Sequence, residues 1–308
     1  MAVEEDNVEA LMSMAQSNVH AVTAELQKTE YSHFFSEKFR DNTASFIPQL
    51  YFMIRSHAPV SFKLMLQRLT RSIILRSSLN ISGRGSKGKS RHRIHYYPGI
   101  PEFDLEQTLF NYIQNGKNLL RYGDIVGYER RQRKRDVVLM LDTSGSMFGK
   151  LLLNAAMTTS VLSYAMAKDF TSIVLFNSEP FVLKTLRDER ELPKLIDQIL
   201  ESEAVGFTNI FGALKKGLDE LEQKRGNSRK IGILITDGEY NRGDHPAIIA
   251  RKFPRLHVIN MPPEHKREAH TRGKRVCQEI ATAGHGYFIP VKEFSEIPRA
   301  LMDLLAKI

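Results

Sequence analysis

Val137-Val138-Leu139-Met140-Leu141-Asp142-Thr143-Ser144-Gly145-Ser146-Met147 is an unbroken apolar run that ends on a carboxylate and two serines. Five apolar residues in a row, with no polar alternate, mark a strand covered on both faces. A helical pattern follows over 150–168. Residues 171–176 form the next buried strand. A short strand over 181–185 comes too soon after it for a parallel crossover, so this pair is predicted as an antiparallel edge hairpin. A helix over 209–223 leads to another buried run, 230–236. Strands over 255–260 and 287–290 flank a helix over 272–283, and a last helix spans 293–307. Alternating strands and helices predict an α/β fold: a doubly wound, mostly parallel sheet with one short antiparallel edge strand.

Upstream the pattern is helical. Val8, Met12, Ala15, Val19, Val22 and Leu26 recur at steps of four and three and share one helical face. Residues 46–54 are apolar with Pro48 near their start. Phe62, Met65, Leu66, Leu69 and Ile73 make a further helical stripe. Residues 1–80 therefore read as a smaller helical region, 81–132 as a basic linker with one helix, and 133–308 as the α/β domain. Ser82–Ser90, with three Gly and no apolar residue, reads as a flexible loop. In the linker, Asp104 and Gln107 have capping-box spacing and Gly116 suits a helix C-terminus.

Of the 308 residues, 42% are hydrophobic and 26% charged, which fits a folded chain with a core. The net charge is +9. Residues 71–135 carry 14 Lys and Arg against 5 Asp and Glu, so this stretch holds an excess equal to that of the whole chain. Five of those cations are Arg130, Arg131, Arg133, Lys134 and Arg135. Such a field attracts acidic partners or nucleic acid. Cys277 is the single cysteine, which excludes an internal disulfide and a cysteine-based zinc site. The sequence shows no apolar stretch long enough to span a membrane and no secretory signal at its start, so a soluble cytoplasmic protein is expected.

Ligands of open parallel sheets bind beyond the carboxyl ends of the strands. Asp142, Ser144 and Ser146 follow the first strand, Asp237 follows the 230–236 strand, and Thr208 precedes the 209–223 helix. All three loops fall on one sheet edge. Two carboxylates and three hydroxyls form an all-oxygen set suited to a hard cation, magnesium or manganese, and not to zinc, copper or iron. One coordination position is left for a partner's oxygen. No His or Lys adjoins Ser144 or Ser146 in the motif, His265 and His270 lack a helical ligand spacing, and no Walker A segment is present. An enzyme is therefore not expected.

The segments DTSGSM (142–147), GFTN (206–209) and LITDG (234–238) resemble the metal-ion-dependent adhesion site (MIDAS) of von Willebrand factor type A domains, over roughly residues 133–308. The resemblance implies Ser144, Ser146 and Thr208 as metal ligands, with Asp142 and Asp237 binding directly or through water. It also implies that a partner's Asp or Glu fills the open position. The basic stretch 262–274, with Lys266, Arg267, Arg272 and Lys274, departs from the family pattern. DLEQTLFNYIQNGKNLL (104–120), the basic run and VVLMLDTSGSM together are similar to the intracellular CoxE-like group. This second likeness implies an adaptor or co-chaperone for a MoxR-type AAA+ ATPase or its client; magnesium chelatase D subunits carry the same kind of domain beside an AAA+ ring. The alternative is an RNA-binding protein of the Ro autoantigen type, which would use the cationic 71–135 segment.

Overall fold

The structure is a computed structural model. It describes residues 8–26, 35, 46–82, 90–98, 100, 102–116, 119–131, 134–189, 191–223, 228–262, 267–291 and 296–307. Most of the predicted Ser82–Ser90 loop, and Lys266 of the basic stretch, lie outside the described residues. Two compact units emerge: Met1–Arg84 with Arg135–Ile308, and Gly85–Lys134.

The N-terminal helices are α1 (Val8–Ser17), α2 (Val19–Leu26), α3 (Ile47–Ile54) and α4 (Val60–Ser82). The stripe expected as one helix over 8–26 breaks at Asn18. Its Oδ1 accepts from Ala21 N at 3.0 Å and starts α2 in the manner of an N-cap.

The unit Gly85–Lys134 holds more than the one helix expected of a linker. β1 (Ser90–His95), β2 (Glu102–Phe103) and β3 (Val126–Arg131) form an antiparallel sheet in the order β1-β3-β2, with α5 (Leu105–Gln114) between β2 and β3. The strands escape a pattern search because β2 has two residues and β1 and β3 are largely charged. Asp104 caps α5 by accepting from Gln107 N at 3.0 Å. The Gln107 side chain turns instead to Asn111 Oδ1, at 3.0 Å.

In the first unit β4 (Arg135–Asp142), β5 (Phe170–Phe176), β6 (Pro180–Lys184), β7 (Arg229–Thr236), β8 (Leu256–Asn260) and β9 (Phe288–Pro290) form a six-stranded sheet, ordered β6-β5-β4-β7-β8-β9. All pairs are parallel except β5 with β6. The helices are α6 (Lys150–Ala165), α7 (Leu192–Leu200), α8 (Ile210–Glu222), α9 (Ala247–Ala250), α10 (Arg267–Ala283) and α11 (Ile297–Lys307). Because side chains alternate across a strand, Val137, Leu139 and Leu141 of β4 enter one core with α6, α7 and α11. Val138 and Met140 enter the other, with α8, α9 and α10.

The N-terminal helices extend the first of these cores: Leu50, Ile54, Leu66 and Ile74 share one apolar cluster with α6, α7 and α11. Residues 152–163 of α6 are consequently buried on every side. Arg55 donates from Nη1 to Leu200 O and from Nη2 to Ser202 O, the latter at 2.7 Å. These carbonyls lie at the end of α7, where helical acceptors lack partners. Arg71 pairs with Asp197 at 2.8 Å and Lys63 with Glu201 at 2.9 Å.

Candidate metal centre

β4 and β7 are the central strands, so their C-terminal ends meet at the middle of the sheet edge. Asp142 is the last residue of β4 and is fully buried. Its Oδ1 accepts from Ser144 N at 2.9 Å, and its Oδ2 from Thr236 Oγ1, the end of β7, at 2.5 Å. Ser144 and Ser146 hydroxyls lie 3.2 Å apart. Asp237 is 1% exposed; its Oδ1 accepts from Glu239 N at 2.9 Å, and the Ser146 hydroxyl stands beside its carboxylate. Thr208 lines the same cleft as Ser146, a space of about 460 Å³ that Glu239, Asn241 and Arg272 also border.

Backbone ties fix these loops. Gly145 N donates to Gly206 O at 3.0 Å and Val205 N to Thr143 O at 3.0 Å, which joins the serine loop to the threonine loop. Asn241 Oδ1 accepts from Thr208 N at 2.8 Å. Asn260 Nδ2, at the end of β8, donates to Asp237 O at 3.1 Å. The five residues picked from the sequence thus converge on one edge. Thr236, Asn241 and Asn260 were not singled out, although each follows or ends a strand on that edge. Glu239, two residues past Asp237, borders the cleft as well, outside the motif segments. Phe148 and Phe207 flank the site, 80% and 61% exposed.

Burial pushes the Asp142 carboxyl above the usual range, against the pull of its hydrogen bonds from Ser144 and Thr236. Burial also raises Asp237, and the charge of Asp142 raises it further. Among the described residues Asp237 Oδ2 is buried and has no hydrogen-bond partner. Two water-excluded carboxylates beside paired hydroxyls, one with a bare oxygen, are costly unless a cation compensates them. The residues therefore fit a hard divalent ion. Among the described residues no three His, Cys, Asp or Glu side chains cluster, so the donors on offer are chiefly hydroxyl oxygens.

A doubly wound sheet with hydroxyls and carboxylates gathered at its carboxyl edge defines a class of binding domain. The von Willebrand factor type A domain family matches residues 136–300, over half of the chain, and the chain belongs to that family. Domains of this family are typically protein-interaction modules that bind divalent metals at the MIDAS. A comparison with curated proteins finds no match. Among solved structures, an aerotolerance-related membrane protein from Bacteroides fragilis is 22% identical over 56% of this chain and 100% of that one, with a TM-score of 0.46. The conserved hypothetical protein BatB of Bacteroides thetaiotaomicron is 22% identical over 56% and 98%, TM-score 0.45. Proximal thread matrix protein 1 of the mussel byssus, solved with a zinc-occupied MIDAS motif, is 19% identical over 56% and 47%, TM-score 0.46. Among the described residues no helix is long and apolar enough to cross a membrane.

Proposed function

We propose that this chain is a divalent-cation-dependent protein-interaction module. Ser144, Ser146 and Thr208 hold the ion, with Asp142 and Asp237 binding it directly or through water. The ion is magnesium, and manganese suits the same donors. When bound, it supplies a Lewis-acidic position for an acidic side chain of a protein partner. The observation that carries this reading is the buried Asp237 Oδ2, without a hydrogen-bond partner among the described residues, on a carboxylate beside the Ser146 hydroxyl, which lies 3.2 Å from that of Ser144. The partner is a MoxR-type AAA+ ATPase or its client. Support for that choice is the likeness of residues 104–147 to CoxE-like proteins.

A second reading draws on the Gly85–Lys134 unit. There Tyr96 stacks with Phe103 and Tyr122 at centroid distances of 6.0 and 5.3 Å, and Tyr122 is 75% exposed. An exposed aromatic stack in a basic unit suits RNA bases and phosphates, as in a Ro-type protein. One binding experiment separates the two. Binding of a purified MoxR-type ATPase that vanishes with EDTA and in Thr208→Ala, and weakens only moderately with salt, supports the metal reading. EDTA-insensitive binding of short unstructured RNA with a steep salt slope, lost in Arg131→Glu with Arg133→Glu, replaces it with the second.

A further inference from the structure

Among the described residues of the basic stretch 262–274, Arg272 reaches the metal cleft. Its placement is built into the backbone. Gly238, at φ +85°, faces Gly273 so closely that a Cβ on it would lie 2.2 Å from Gly273 O. A Cβ on Gly273 would lie 2.4 Å from Asp237 O. Only glycine on both sides lets α10 touch the Asp237 loop backbone to backbone. One turn on, Cys277 Sγ lies 3.5 Å from Asn260 Nδ2, the same amide that donates to Asp237 O. The helical turn that carries Arg272 is thus pinned to the loop that carries Asp237.

Arg272 is exposed at the cleft. It forms no ion pair with a carboxylate among the described residues, whereas its helix neighbour Arg275 pairs with Glu279 at 3.1 Å. Asp142 and Asp237 by themselves balance a divalent ion, and Glu239, which borders the cleft and whose charge acts on Asp237, adds a further negative charge. An approaching acidic segment would meet residual negative charge there. Arg272 offsets it, and its planar fork matches a carboxylate in geometry.

We propose that Arg272 is a second anion-binding point of the metal cleft. The partner segment then carries two acidic side chains, one for the metal and one for Arg272. This rests on the metal reading above. Specificity follows, because a segment with one acid gains the metal contact alone and a segment with two gains a charge-assisted fork besides.

The test is a selection of random peptides displayed against the immobilised full chain in magnesium, with elution by EDTA. The expected peptides carry two acidic residues. Changing either to its amide weakens binding to the wild type about tenfold or more, the scale of a lost charge-assisted contact. Arg272→Glu weakens the parent peptides likewise and regains affinity when one acidic residue becomes Lys, which also shows that the variant is folded. Peptides with a single acid, or parent peptides that bind Arg272→Glu as tightly as wild type and are still released by EDTA, overturn this inference and leave the metal reading standing. Recovery of no EDTA-released peptide overturns both.

Discussion

Thr236 Oγ1 donates to Asp142 Oδ2 at 2.5 Å and accepts from Gly238 N at 3.0 Å. This hydroxyl ties the ends of β4 and β7 together and orients a carboxylate that has no access to water. It leaves Asp142 Oδ1 with the Ser144 N–H, on the side of the serine loop.

Metal binding is expected to be linked to pH through Asp142 and Asp237. Burial, and for Asp237 the charge of Asp142, raise both carboxyls above their unfolded value of 3.8. In the metal-free protein the folded state keeps these protons longer than the unfolded one. Their contribution to stability therefore falls as pH rises from about 4 through the raised values. Magnesium displaces the protons, so the rise in Tm it gives grows with pH. Melting with EDTA and with excess magnesium, at about pH 5.5 and about pH 8, checks this; a larger magnesium shift at the acidic end contradicts it.

The sheet is legible because buried parallel strands are written as apolar runs, and the site because oxygen-bearing side chains sit where those runs stop. The same signal misses what lacks it. β1 and β3 carry His92, Arg93, Glu129 and Arg130, so no apolar run marks them as strands. Helix α7 does have a helical stripe, Leu192, Leu195, Ile196, Ile199 and Leu200, that a closer periodicity count would find. Arg55 and Leu200 lie far apart in sequence, and no local pattern announces their contact. Arg272 in the cleft depends on a Gly–Gly contact between elements, which is equally silent in one dimension.

His257 gives a pH effect of the opposite sign. It is fully buried; burial first, then the Arg255 charge, push its imidazole down to about 4, and its Nδ1 accepts from Tyr287 N at 3.1 Å. An imidazole depressed in the fold contributes stability that is present above the unfolded value of 6.5 and lost as pH falls towards 4. His257→Gln should flatten the acid limb of the stability curve in that window by up to one proton. An unchanged limb means that His257 does not stay neutral in the fold.

Arg55 should be worth about 1–3 kcal/mol, the scale of charged hydrogen bonds to otherwise unpaired carbonyls. Denaturant unfolding of Arg55→Met reads this directly. The same packing bears on the proposed division at 80. Tryptic cleavage at Arg84, Lys87 or Lys89 should leave the N-terminal fragment bound to residues 135–308, because the two share one apolar cluster. Separation of the fragments on a sizing column under native conditions would show that the shared cluster does not hold them.

Gly273→Ala should disturb the metal loop more than the fold. The new Cβ would overlap Asp237 O, and overpacking of this kind costs about 1–3 kcal/mol. Magnesium affinity is expected to drop, and retained affinity at wild-type level would show that the helix moves away without carrying the loop.

The most direct measurement is calorimetric titration of magnesium into the metal-stripped full chain. One ion per chain is expected for wild type and none for Asp142→Ala or Thr208→Ala. Thr208→Ala is the cleaner arm, because among the described residues Thr208 is held through its backbone, by Asn241 Oδ1 on its N–H at 2.8 Å, and not through its hydroxyl. That variant, free of metal, should melt with the metal-free wild type. Magnesium binding of wild-type strength in both variants would contradict the assignment of the site.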